Sequence, residues 1–336
     1  MKKIRKGMAA VLALAMGVSL TGCGSLVQER DSEVHFNISV DASESEMISQ
    51  YAKQLIEELE TRSGGRISAD LYTDGTLGSD AESLQNCMDG SIPIVLSTTA
   101  PQVTFMPELA MFDLPNLFTD IEQFRALFEN EKFNSTLEGV YEDSGFHLLG
   151  IADSGFREMS SNIRVESLAD MKGIKIRTMQ NSNHLAIWQA YGANPTPLAF
   201  DEVYIGLQQG TIDAQENPIE VLVSSRFYEQ QDYVIMTNHL PHACVCLISA
   251  DVYNDLPEDL KQIVDEAGEA ATQWTRDQAD ATNAEQLAFL ETQGVEIIYL
   301  SEEVQASLRE AAQPVYDSIR EQIGDEMMDL MLEAAQ

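Results

Sequence analysis

After residue 33 the chain alternates between short apolar blocks and polar turns. Val34 to Val40 reads as a first strand. Glu46 to about Thr61 carries Ile48, Tyr51, Ala52, Leu55, Ile56 and Leu59 at helical spacing, and Gly64-Gly65 ends it. Arg66 to Tyr72 alternates again, with Ile67, Ala69 and Leu71 on one face. This β-α-β opening predicts an α/β sheet. A helix starting at Ser79 or Asp80 runs to Met88. Ile92 to Ser97 is a short strand that contains Pro93, a residue foreign to a central strand. Pro101 to Phe118 is apolar, broken by prolines, and expected to wrap the first part of the fold. Helices follow over 121–129 and 134–144. His147 to Ala152 is a buried strand that hands over to Asp153-Ser154-Gly155-Phe156-Arg157. Ala243 to Ile248 reads as another strand, and a helical pattern from Pro257-Glu258 to about Thr292, stopped by Gly294, is long enough to bridge two lobes. A late strand over 295–299 and two helices separated near Pro314 close the chain.

Composition changes this picture at the N-terminus and in its charge. Met1-Lys2-Lys3-Ile4-Arg5-Lys6 is basic, and Met8 to Leu20 is apolar but shorter than the ~20 residues a spanning helix needs. Residues 1–22 therefore read as a secretory signal. Leu20-Thr21-Gly22-Cys23 resembles a bacterial lipobox, which would make Cys23 the lipidated mature N-terminus, with 23–33 as a tether to the membrane face. Of 20 basic residues four lie in the leader, leaving 16 against 55 acidic ones, a balance of −39. That excludes nucleic acid as a partner, since its binding depends on basic clusters. It also sets a puzzle for an anionic ligand, which the whole surface repels. Screening limits that repulsion to roughly 8 Å at physiological salt, so a buried arginine can still make a local attractive cleft. Three cysteines remain, Cys87, Cys244 and Cys246; an odd number without metal spacing argues for small buried hydrophobes rather than disulfides.

The stretch Lys172-Gly173-Ile174-Lys175-Ile176-Arg177 is a short strand, Ile174 and Ile176 on one face, with Arg177 where the strand passes to the polar turn 178–183 and a helix over 184–191. Ligands in open α/β sheets bind at the carboxyl ends of strands, and a guanidinium there matches a carboxylate. Position alone leaves two readings open, a surface arginine paired with an acid or a ligand clamp. Arg157, after another strand and a glycine, repeats the arrangement.

The runs Gly173 to Arg177, Tyr191-Gly192-Ala193-Asn194-Pro195-Thr196-Pro197-Leu198-Ala199-Phe200-Asp201-Glu202-Val203-Tyr204, Leu207-Gln208-Gln209-Gly210 and Asp213-Ala214-Gln215-Glu216-Asn217-Pro218, with Thr237-Asn238-His239, together resemble the solute-binding proteins of TRAP transporters, the tripartite ATP-independent uptake systems. The resemblance covers nearly the whole chain after the leader. It implies an α/β, two-lobed periplasmic-binding-protein-like fold with interwoven lobes, a hinge and a long lobe-spanning helix. The lobes are expected at 34–154 with 243–282, and at 155–242 with 283–336. It further implies that Arg177 pairs with the ligand carboxylate and Arg157 makes a second contact to the acid. Asn217 would orient the acid, Phe200 pack on the ligand, and His239 lie near cleft and hinge. Thr98 and Glu82 would meet the distal ligand groups. Thr178-Met179, Ala214 and Pro93 depart from the common pattern of Val-Pro, Gly and an acidic residue, which leaves the first-lobe pocket least defined.

On this reading the protein is an extracytoplasmic, membrane-anchored monomer without cofactor or metal. It delivers a small organic acid, a uronate or related sugar acid first, to the small and large membrane subunits of a TRAP transporter. C4-dicarboxylates and sialic acid stay open as ligands. Two other classes compete: an exported enzyme acting on sugar acids, and a binding lobe for a sensor or ATP-driven importer. Gly-x-Ser-x-Gly, His-Glu-x-x-His and P-loop motifs are missing from the sequence, and His239 and His242 are separated by Leu240-Pro241, which disfavours a helical metal pair.

Overall fold

The alternating stretches become nine strands of one mixed sheet among the described residues, 32–335, of the computed structural model. They are β1 (Val34–Val40), β2 (Ile67–Tyr72), β3 (Ile94–Thr98), β4 (Phe146–Ser161), β5 (Lys175–Thr178), β6 (Asn194–Pro197), β7 (Ala214–Asn217), β8 (Tyr233–Ser249) and β9 (Glu296–Tyr299). The spatial order is β2-β1-β3-β8-β4-β7-β5-β6, with β9 alongside β8. The expected leader and Cys23 lie outside the described residues. No described helix is long and apolar enough to cross a membrane.

Two strands tie the sheet together. β4 and β8 run antiparallel from Phe146 opposite Ser249 to Ser161 opposite Tyr233. The far half of β8 pairs with β3, Ile94 opposite Ile248, while its near half pairs in parallel with β9. The far half of β4 pairs with β7. Each strand thus serves both ends of the molecule, and the architecture is the expected two-lobed one with interwoven lobes. The helix Glu258–Thr292 packs on the helix Met47–Ser63, on β4, on the helix Ile219–Ser224 and on β9, so it spans the lobes as its length suggested.

The sequence expectation stopped the fourth strand at Ala152 and began the eighth at Ala243. Both instead run on through the middle of the sheet. The pairing shifts register between Asp153 and Phe156, where Gly155 takes φ 85°. A bulge there absorbs the glycine without ending the strand. Pro241, opposite Phe156, is tolerated beside the same irregularity. Arg157 consequently lies inside a strand rather than at its end. Pro93 turns out to precede β3, and its carbonyl accepts a hydrogen bond from Ser249 N at 2.9 Å.

One face of the sheet buries Phe36, Ile38, Cys244 and Cys246 under Tyr51, Leu55 and Leu59 of the first helix and Leu260, Val264 and Ala271 of the long helix. Close approach makes glycine necessary here: a Cβ on Gly268 would fall 2.5 Å from the Leu149 carbonyl oxygen. Gly268→Ala is therefore expected to destabilise by about 1–3 kcal/mol despite alanine's better helix propensity. A urea midpoint equal to wild type would contradict this packing. The other face is covered by the segment 107–143 and the helix Gln313–Ala334.

Candidate functional site

A cavity of about 290 Å³ opens at the carboxyl ends of β1, β3, β5 and β7. Arg177, Asn217, Phe200 and Thr98 line it, as does His242. Four of the expected contact residues are thus brought together from strand ends and the loop after β6.

Arg177 is buried, 3% exposed. Its Nε and Nη2 both donate to the Leu198 carbonyl oxygen, at 3.0 and 2.8 Å. Leu198 follows β6, which pairs in parallel with β5 and so brings that carbonyl to the arginine. The Phe200 ring centroid is 6.0 Å from Arg177 Cζ, a cation–π geometry. Nη1 is buried and has no hydrogen-bond partner. Burial pushes the Arg177 pKa down to about 10, against the pull of Glu216. A desolvated guanidinium with a donor left over is costly for the protein alone, and an anion in the cavity would relieve it.

Arg157 is placed differently. All of its nitrogens are committed within the protein. Nε donates to Glu216 Oε2 at 2.5 Å and Nη2 to Glu216 Oε1 at 2.9 Å. Nη2 also reaches Asn217 Oδ1 at 3.0 Å, and Nη1 donates to His242 Nδ1 at 2.6 Å. Arg157 stands behind the cavity wall and holds two of its lining residues. Asn217 is fixed on its other side by Gln215, to whose Oε1 its Nδ2 donates at 2.6 Å.

Glu216 is the centre of this buried network. His239 Nε2 lies 3.0 Å from Oε2 and His184 Nδ1 4.0 Å from Oε1. Burial would raise the Glu216 carboxyl, but Arg157, His184 and His239 outweigh it and hold its pKa well below the usual carboxylate range. Burial pushes His242 well below the ordinary imidazole value, reinforced by Arg157. His242 is then neutral, Nδ1 accepting from Arg157, and its Nε2 proton is the donor that remains. His239 does not line the cavity; it bridges Glu216 and Thr237. His239 and His242 thus face separate partners, and no cluster suited to a metal ion occurs among the described residues. Glu82 is also elsewhere. Its carboxylate accepts from Ser79 N at 2.9 Å, closing the start of the helix Asp80–Met88, and it borders a separate hollow with Gly78 and Phe105.

Residues 38–322 match the family described as bacterial extracellular solute-binding protein, family 7. The chain belongs to that family. A solute-binding protein of Verminephrobacter eiseniae is 31% identical over 288 residues, 85% of this chain and 84% of that protein. The sialic acid-binding periplasmic protein SiaP of Vibrio cholerae is 29% identical over 328 residues, 96% of this chain and 97% of that one. The crystal structure of the sugar acid-binding protein DctPAm of Advenella mimigardefordensis in complex with galactonate superimposes with a TM-score of 0.85 at 27% identity, covering 90% of this chain and 97% of that one. The protein is a TRAP-type solute-binding protein, periplasmic in kind, and not an enzyme.

Three acidic lining residues of this solute-binding protein escaped the sequence reading: Asp41, Glu46 and Asp80. Asp41 directly follows Val40, the end of β1, so the strand-end rule that singled out Arg177 would have found it. Glu46 and Asp80 were hidden among the many acids. Burial pushes Glu46 up to about 7 and Asp80 up to about 7, and raises Asp41 as well.

Several buried groups of the binding protein hold protons to higher pH than they would in the unfolded chain. Burial pushes Glu158 up to about 8 and Glu220 up to about 8. Burial opposes a charge on His184, but Asp113, 3.1 Å away, and Glu216 push it up to about 9. A raised folded pKa gives stability that is complete below the unfolded value and lost as pH rises through the folded one. Glu216, being lowered, gives its full stabilisation throughout this range and so adds no slope there. His239 and His242, lowered by burial, act only below about 6.5. Stability is therefore expected to fall by a few kcal/mol between pH 6.5 and 9. Urea titrations at the two pH values test it, and a Glu158→Gln, Glu220→Gln double variant should flatten the profile.

Proposed function

We propose that this protein captures a small organic acid, a uronate or related sugar acid, by pairing the acid's carboxylate with Arg177, and passes it to the membrane subunits of a TRAP transporter. The observation that carries this reading is the buried, unpartnered Nη1 of Arg177, a residue that lines the cavity. A carboxylate there gains a charge-assisted hydrogen bond and relieves an unsatisfied donor at once. Asn217 Nδ2 and the remaining His242 proton are the nearby donors suited to a second carboxylate oxygen, and Phe200 packs the ligand from the side. Arg157 acts through Asn217 and His242, as a positioning residue. Thr98 Oγ1 donates only to the weak acceptor Met179 Sδ, at 3.8 Å, a bond that one to a ligand hydroxyl would replace.

The proposed lobe division is 34–154 with 243–282 and 155–242 with 283–336. It passes through the register shift at Asp153–Phe156, where few ladder bonds would have to change on closure. A ligand touching both sides favours the closed arrangement by its differential affinity. We also propose that Cys23 is acylated and anchors the protein to the outer face of the membrane.

A thermal-shift screen of organic acids, followed by calorimetry, tests the reading, since a ligand that binds only the native state raises its stability. Galacturonate, galactonate and succinate form the first panel. Stabilisation by a carboxylate that the corresponding neutral alcohol or amide does not give is expected. Equal response to the neutral compounds would overturn the Arg177 assignment.

A further inference from the structure

Arg177 shares its cavity with an anionic patch. Asp41 follows β1, Glu46 precedes the helix Met47–Ser63, and Asp80 opens the helix Asp80–Met88; all three line the same cavity. Among the described residues the Asp80 carboxylate has no hydrogen bond or ion pair. Asp41 Oδ2 accepts only weakly from Asp80 N, at 3.3 Å, and Glu46 Oε1 accepts from Ser43 N at 3.0 Å and, weakly, from Ser225 Oγ at 3.5 Å. Burial raises the pKa of all three acids, Asp41 and Glu46 raise that of Asp80 further, and the cation that Asp80 feels is Arg177. Arg177 feels Asp80 in return, yet no ion pair joins them. Much of the remaining lining is apolar, including Val40, Ile48 and Leu96.

The cavity therefore holds charges of both signs that do not pair with each other: a spare guanidinium donor and a crowded, undercompensated set of carboxylates. A dianion would meet repulsion at the acidic patch. A plain hydroxy acid would offer that patch hydrogen bonds but no charge. We propose that the ligand carries, at the end away from its carboxylate, a protonated amine received by Asp80, Asp41 and Glu46, so that the site selects zwitterionic acids over their hydroxy counterparts. This rests on the carboxylate reading of Arg177 and narrows it to amino-substituted acids. It also removes the charge puzzle. A chain with 55 acidic and 20 basic residues repels an anion at its surface but is neutral toward a zwitterion.

The test is a pair of matched acids titrated calorimetrically into the purified protein: 6-amino-6-deoxy-D-gluconate against D-gluconate, and 6-aminohexanoate against 6-hydroxyhexanoate. Each pair differs only in a distal amine or hydroxyl. The amino member of at least one pair is expected to bind at least tenfold more tightly than its partner, and Asp80→Asn or Glu46→Gln to remove that preference. If the hydroxy members bind as well or better, and do so through Arg177, this inference fails while the carboxylate reading stands. A preference that survives both substitutions also overturns it, because the amine would then be read elsewhere. If no member of either pair binds, the carboxylate reading falls and this inference with it.

Discussion

Replacing Arg177 with alanine is expected to weaken binding of the acid ligand by roughly two to four powers of ten while the fold survives. The size follows from the burial of both charges. Leaving one partner of a buried pair without the other costs about 3–5 kcal/mol, and each 1.4 kcal/mol is tenfold in affinity. The fold is spared because Arg177 makes no ion pair within the protein. It gives up two bonds to the Leu198 carbonyl and one cation–π contact. In exchange the protein loses a desolvated cation with an unsatisfied donor, so the melting temperature should move by only a few degrees. Arg177→Lys should recover part of the affinity, since an ammonium supplies the charge but not the planar fork. Calorimetry with the acid identified by screening, beside a thermal melt, reads both quantities. Affinity near wild type in Arg177→Ala would end the clamp assignment.

The second large effect is one of stability. Glu216 sits at the end of β7 with Arg157, His239 and His184 converging on it, all buried. Glu216→Ala would leave the Arg157 guanidinium in the interior without its carboxylate, and we expect a loss of about 3–5 kcal/mol. Glu216→Gln should lose less, because an amide oxygen still accepts from Arg157. Chemical denaturation measures both. A neutral outcome for Glu216→Ala would mean that the network contributes nothing net, as well-packed replacements of buried ion pairs sometimes do.

What could be read from the sequence follows a physical division. Elements whose pattern is local were legible. The helix Glu258–Thr292 matches its expected span, and its stop at Gly294 was marked by residue type. Arg177, Phe200, Asn217 and Thr98 fell together because each stands at or just beyond a strand's carboxyl end. Features decided by distant partners were not legible. Whether a strand continues past Gly155 depends on a neighbour some 85 residues later offering the matching irregularity at Pro241. Whether Arg157 faces a ligand or a glutamate depends on Glu216, which alternation along β7 cannot reveal. His239 suffered the same ambiguity. Glu82 looked available until the backbone of Ser79 claimed it.

The long pairing of β4 with β8 also governs how this chain can be made. Ile94 waits for Ile248 and Phe146 for Ser249, so neither half of the sheet is complete until nearly 250 residues have been synthesised. Contacts this distant along the chain are slow to form, since their closure entropy must be met before packing rewards it. A polypeptide emerging from the ribosome therefore has no early stopping point at which one lobe could lock shut. The same topology that lets two lobes share a sheet delays tertiary structure, and so leaves the chain threadable for the passage across the membrane that an extracellular solute-binding protein must make.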